Sequence, residues 1–198
     1  MSHKRLAILA SLSVLMACGS DSVTSPIDAA TSGSLSFSYT GGGGGTYTAT
    51  GGISSATLAS APYATTWAAG YKDATTNSTN IAANIVRTST TSDVVIITIK
   101  GQTASTGSIV VDCTPTSTSA CNSVTLLVGK TSSGTTFGNI CSLTSGTITI
   151  ASLSSLNANG SFSGSGTCVT STGGTSAWVV INGLFNVPLL PNVPSNLK

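Results

Sequence analysis

From position 34 onward, apolar residues recur at every second position. Leu35, Phe37 and Tyr39 alternate with serines, and Tyr47 and Ala49 alternate with threonines. A period of two places all the apolar side chains of a strand on one face, so it predicts half-buried β-strands. The chain's other residues fit that pattern. Its 198 residues include 34 Ser, 32 Thr and no Glu. Thr suits a pleated surface, whereas the helix formers Glu, Lys and Leu that build bundles and coiled coils are scarce. Val94-Val95-Ile96-Ile97-Thr98-Ile99 is a continuous apolar run, predicted to be a central strand covered on both faces, with Asp93 and Lys100 bracketing it as gatekeeper charges. Further strands are expected at 84–87, 109–113, 124–128, 147–151, 161–167, 177–182 and 184–187, with turns at 41–45, 157–160, 173–174 and 182–183. Pro188, Pro191 and Pro194 are expected to bar any further central strand. The predicted fold class is all-β: a single antiparallel barrel-like sandwich of about ten short strands over residues 34–198. No helix is strongly signalled. The spacing of Tyr63, Trp67 and Tyr71 fits either a helix face or a strand, and Thr65, Thr66 and Gly70 favour a strand.

The N-terminus reads as an address. Lys4 and Arg5 precede an uncharged, mostly apolar stretch over 6–16, which is too short to span a bilayer as a helix and fits the core of a secretory signal. Leu15-Met16-Ala17-Cys18 follows and resembles a bacterial lipobox. That resemblance implies that the Cys18 thiol is alkylated by a diacylglycerol, that the chain is cut before it, and that the new N-terminus is acylated, for instance with palmitate. Residues 1–17 are then a lipoprotein signal peptide, and 18–33 are the lipidated cysteine and a flexible tether broken by Pro26. Fully stretched, the fifteen residues from Gly19 to Gly33 reach roughly 50 Å. Several acyl chains make the attachment effectively stable. Gly19 and Ser20 lack the aspartate that retains similar Gram-negative lipoproteins at the inner membrane, so the resemblance points to the outer membrane.

Processing removes Lys4, Arg5 and the sole histidine, His3. Lys72, Arg87, Lys100, Lys130 and Lys198 then balance Asp21, Asp28, Asp73, Asp93 and Asp112. A neutral surface carries no basic patch for phosphates, which excludes a nucleic-acid partner. Cys113, Cys121, Cys141 and Cys168 remain, and an even number in an exported chain predicts two disulfides. Cys113–Cys121 is preferred because predicted strands 109–113 and 124–128 look like a hairpin, which leaves Cys141–Cys168. A zinc site lacks both C-x-x-C spacing and His, so no metal is expected.

Three C-terminal segments carry a second resemblance: Gly146-Thr147-Ile148-Thr149-Ile150, Gly160-Ser161-Phe162-Ser163-Gly164, and Asn182-Gly183-Leu184-Phe185-Asn186-Val187-Pro188-Leu189. They are similar to a family of uncharacterised bacterial surface lipoproteins. The resemblance implies that these segments are the last strands of one β domain, closed by the final element. It implies no activity.

Chemistry is mostly excluded by composition. A mature chain without His or Glu cannot build a Ser–His–Asp triad or a His-based metal site. General acid–base work would fall to Asp73, Asp93, Asp112, Lys or Tyr. The plain expectation for these aspartates is a turn cap at Asp73 and solvated strand ends at Asp93 and Asp112. The glycines of 41–45 lack the Gly-Lys-Ser/Thr ending of a phosphate loop and read as a hairpin turn. Tyr63, Trp67 and Tyr71 could form an aromatic platform for a sugar, but so few aromatics make core packing the preferred reading. The expected function is that of a lipid-anchored envelope protein, without cofactor or catalysis, whose β domain is structural or interacting. The alternative is a module binding a glycan or an apolar small molecule.

Overall fold

The computed structural model describes residues 32–73, 76–101, 106–113, 121–131 and 136–191. The expected signal peptide, Cys18, nearly all of the tether and Pro194 lie outside these residues. Ten strands and one short helix are present: β1 (Gly33–Thr40), β2 (Gly45–Gly51), α1 (Ser55–Ser60), β3 (Trp67–Asp73), β4 (Ser78–Val86), β5 (Thr91–Lys100), β6 (Gly107–Val110), β7 (Ser123–Thr131), β8 (Asn139–Leu153), β9 (Asn157–Thr170) and β10 (Thr175–Leu190).

Seven of the strands close a barrel in the order β3-β4-β5-β7-β8-β9-β10 and back to β3. Every pairing is antiparallel except the closing one, where Leu189 and Leu190 of β10 run parallel to Gly70 and Tyr71 of β3. The barrel divides into two layers. A six-stranded sheet runs β2-β1-β10-β9-β8-β6, and a four-stranded sheet runs β3-β4-β5-β7. The layers meet at two corners, β7 on the start of β8 and β3 on the end of β10. Closure leaves β8, β9 and β10 without a free edge where they pair on both sides, which protects long hydroxyl-rich strands from pairing with other chains.

The chain departs from the sequence expectation at four places, each for a local reason. Asn182-Gly183 is not a turn. Both flanks pair with β9, and the register slips between Val180 and Gly183, so the dipeptide is a β-bulge with Asn182 at φ 54°. Residues 157–160 likewise belong to β9, whose preceding turn is held by Ser154 Oγ accepting from Leu156 N and Asn157 N. Pro188 lies inside β10. Leu189 N donates to Leu156 O on the β9 side, so the Pro188 nitrogen faces the other edge. There β1 has ended at Gly33 and β3 has not yet begun to pair, so no ladder donor is lost. Finally, α1 forms where the sequence carries no strong helix signal. Ser54 caps it by accepting from Thr57 N at 3.1 Å, and Leu58 is its buried residue.

The helix exists because β3 is apolar on both faces. Ala68 points into the barrel, while Trp67, Ala69 and Tyr71 point outward and pack with Ile53, Leu58, Ala82 and Leu190. The segment between β2 and β3 therefore lies over the four-stranded sheet as a lid of its own. Inside the barrel, Leu35, Phe37 and Tyr47 meet Ile81, Val95, Ile97, Leu126, Leu143, Ile148, Phe162 and Trp178. The run 94–99 behaves as expected of a central strand: Val95, Ile97 and Ile99 face inward, Val94 is buried, and Ile96 packs on the outer cluster.

Candidate functional site

The three C-terminal segments that carry the family resemblance lie side by side on β8, β9 and β10. Ile148 stands opposite Phe162, and Phe162 opposite Gly183; Ile150 stands opposite Gly160, and Gly160 opposite Phe185. A Cβ on Gly183 would collide with the Phe162 ring, and one on Gly160 would collide with the Phe185 ring. Each phenylalanine thus fills the space left by a glycine on the neighbouring strand, and these contacts form the inner, buried side of the patch.

Alternation puts the intervening residues on the outer side. One row across the six-stranded sheet reads Thr48, Ser36, Leu184, Ser161, Thr149, Ser108 from β2 to β6. Beside it run Thr46, Ser38 and Ile181 from β2 to β10, and Ser163, Thr147 and Val110 from β9 to β6. Neighbouring strands in these rows lie about 4.8 Å apart and same-face residues about 6.8 Å apart along a strand, and Ser108 Oγ approaches Thr149 Oγ1 to 3.4 Å. Val179, Ile181 and Leu184 form an apolar line along β10 between the serines of β1 and those of β9, with Leu184 58 % exposed. Two grooves flank Leu184. One, of about 590 Å³, is lined by Ser34, Ser36, Asn159, Ser161 and Asn186. The other, of about 370 Å³, is lined by Thr147, Thr149, Ser161, Ser163 and Asn182.

None of the six strands carries a charged residue. All the ionisable Lys, Arg and Asp side chains among the described residues belong to the four-stranded sheet or its connections. No motif in the sequence marks this face as a site. Its signal was present, because no charged residue occurs anywhere in 131–197.

The aromatic trio is split. Trp67 is 1 % exposed beneath α1, with its Nε1 donating to Pro62 O at 2.6 Å. Tyr71 lies in the same cluster, and burial, with Asp73 nearby, pushes its phenol up to about 12. Tyr63 lies outside β3 in the connecting segment, half-buried, with Lys130 Nζ 4.2 Å from its ring centroid. Burial lowers the Lys130 ammonium from its ordinary value. These residues tie the 52–66 segment to the barrel and do not share one open surface.

Disulfides join Cys113 to Cys121 and Cys141 to Cys168. The first does not close a hairpin. β6 and β7 do not pair with each other; both lie along one edge of β8, β6 at 147–150 and β7 at 139–142. The bond spans the passage between them. Asn122 fastens the same corner: its backbone N donates to Asp112 Oδ1 at 2.6 Å, and its Oδ1 accepts from Lys100 N at 2.9 Å. Asp112, Cys113 and Cys121 cluster closely enough to suggest a metal, but both sulfurs are committed to the disulfide and offer no thiolate. The second disulfide lies in the core and bridges directly opposed residues of β8 and β9. The Gly41–Gly45 turn folds over it. Gly42 has φ +59°, and a Cβ there would collide with both sulfurs, so this position requires glycine on two counts.

Asp93 departs from the expected solvated strand end. It is 5 % exposed at a register shift in β5; its Oδ2 takes Arg87 Nε at 2.6 Å and its Oδ1 takes Gly129 N at 2.9 Å. Asp112, by contrast, is exposed and holds Asn122. The two carboxylates thus serve separate structural contacts. Asp73 Oδ1 accepts from Thr76 N at 3.4 Å, as a turn cap does.

Comparisons of the chain with protein-family models, with curated proteins and with solved structures return no match.

Proposed function

We propose that this chain is a lipid-anchored protein of the bacterial cell envelope, held at the outer membrane on its periplasmic or surface face, whose β domain acts by contact and not by bond-breaking. The observation that carries the reading is the separation of chemistry from surface. The six-stranded sheet presents hydroxyls, amides and a few apolar side chains but no formal charge. The carboxylates able to move protons sit elsewhere, and Asp93 and Asp112 are spent on Arg87, Gly129 and Asn122. Hydroxyls and amides suit reversible hydrogen bonding, whereas neutral-pH proton transfer calls for groups this face lacks. The anchor is supported by Leu15-Met16-Ala17-Cys18 behind a basic and apolar leader, and by two disulfides of the kind that persist in oxidising compartments. The partner at the membrane is then the bilayer itself, through the lipid on Cys18, and the neutral mature chain offers nothing to nucleic acid.

Metabolic labelling tests the anchor. The wild type is expected to incorporate labelled palmitate and to fractionate with membranes, and Cys18→Ser is expected to lose the label and to stay unprocessed or be released in soluble form. An unlabelled wild type, or a variant that fractionates identically, contradicts it.

A further inference from the structure

We propose that the two grooves flanking Leu184 bind a neutral polysaccharide chain. This rests on the contact-module reading above and names the class of ligand. The grooves, of about 590 and 370 Å³, adjoin at Leu184 and Ser161, which line both. Those sizes fall within the range of small-molecule sites, and together they accommodate more than a single small ring. The lining is matched to sugar chemistry. A pyranose carries hydroxyls that both donate and accept, together with patches of C–H. Ser34, Ser36, Ser161, Ser163, Thr147 and Thr149 also donate and accept, as do the amides of Asn159, Asn182 and Asn186. Leu184 offers the apolar contact for a ring face between them.

Charge decides among ligands. An anionic chain would leave its carboxylates or sulfates desolvated without a cationic partner, because no Lys or Arg lies on any of the six strands. A neutral chain carries no such cost. A second copy of this face is disfavoured by the same rows, since homodimer interfaces are built on contiguous apolar cores, whereas the Val179, Ile181 and Leu184 line and the separate Val110, Ile140 and Val169 stand among rows of hydroxyls.

Native affinity electrophoresis of the full-length protein in neutral detergent tests the proposal. The gels contain dextran, laminarin, galactomannan, xylan or polygalacturonate. The wild type is expected to be retarded by at least one neutral polysaccharide and not by polygalacturonate. Leu184→Lys is expected to weaken that retardation at least tenfold, and Ser163→Lys, an exposed change in the second groove, is expected to weaken it as well. Leu156→Lys, 75 % exposed at the β8–β9 turn and outside both grooves, should bind as the wild type does. Melting curves establish that each variant is folded. The proposal is overturned if no neutral polysaccharide retards the protein, if polygalacturonate retards it most, if folded Leu184→Lys and Ser163→Lys both bind normally, or if Leu184→Lys dissolves a dimer instead. Release of reducing ends from a bound polysaccharide would contradict the non-catalytic reading while leaving the binding site in place, so the two fail separately.

Discussion

Phe162 stands directly opposite Gly183 across β9 and β10, and its ring occupies the space that a Cβ on Gly183 would need. The glycine is required there by close approach and not by its own backbone angles. The same exchange joins Phe185 to Gly160 two positions along the ladder. Gly183→Ala should therefore strain the core against the Phe162 ring and backbone carbonyl, at a cost of about 2 kcal/mol or more, typical of an overpacked core. Ser163→Ala, on the exposed face of the same strand pair, should stay within about 0.5 kcal/mol of the wild type. Denaturant unfolding of both variants checks this; equal stabilities would contradict the packing account.

Trp67 supports the lid over the four-stranded sheet. Its indole fills the cluster formed with Ile53, Leu58 and Tyr71, and its Nε1 holds the Pro62 carbonyl. Trp67→Ala should cost roughly 3–5 kcal/mol and lower the melting temperature sharply. It should not act on polysaccharide binding except through folding, because the grooves lie on the other sheet. Unchanged melting combined with lost glycan retention would place the ligand site at Tyr63, Trp67 and Tyr71 instead.

All four tyrosines titrate late. Burial raises Tyr39, Tyr47, Tyr63 and Tyr71 above the ordinary phenol value, with Asp93 adding to the effect at Tyr39 and Tyr47, and Tyr71 reaches about 12. The folded chain therefore keeps its phenolic protons to higher pH than the unfolded chain. Stability from these groups is fully present below the ordinary phenol value of 10.0 and is lost as pH rises from there toward 12. Phenolate absorbance near 295 nm should stay low at pH 10, and its rise should track the loss of tertiary circular dichroism. A normal titration with the fold intact would contradict this burial.

Strand identity was legible where alternation was strict, as at Leu35, Phe37 and Tyr39 or at Tyr47 and Ala49, and where the apolar run 94–99 demanded two covered faces. Pairing was less so. The Asn182-Gly183 dipeptide supports a turn or a bulge equally well until it is known that Val180 and Leu184 both face β9. Pro188 lies within a strand only because one edge is vacated between β1 and β3, a feature of the corner and not of the local sequence. Cys113 and Cys121 are joined although β6 and β7 never pair, because β8 is long enough to take both on one edge. α1 has weak intrinsic signals and owes its place to the apolar outer face of β3 that it covers. The candidate site was visible only as a long stretch without charge, since its rows combine residues from strands as distant in sequence as β2 and β8.

The central claim is that the uncharged face of the six-stranded sheet is the working surface. Amide shift mapping of the isotope-labelled Cys18→Ser chain, titrated with oligosaccharides cut from whichever neutral polysaccharide retards the protein most, tests it directly. The account predicts perturbations concentrated at Ser34, Ser36, Asn159, Ser161, Asn182 and Leu184, with β4 and β5 silent. Perturbations centred on Tyr63 and Lys130, or none at saturating ligand, would contradict it.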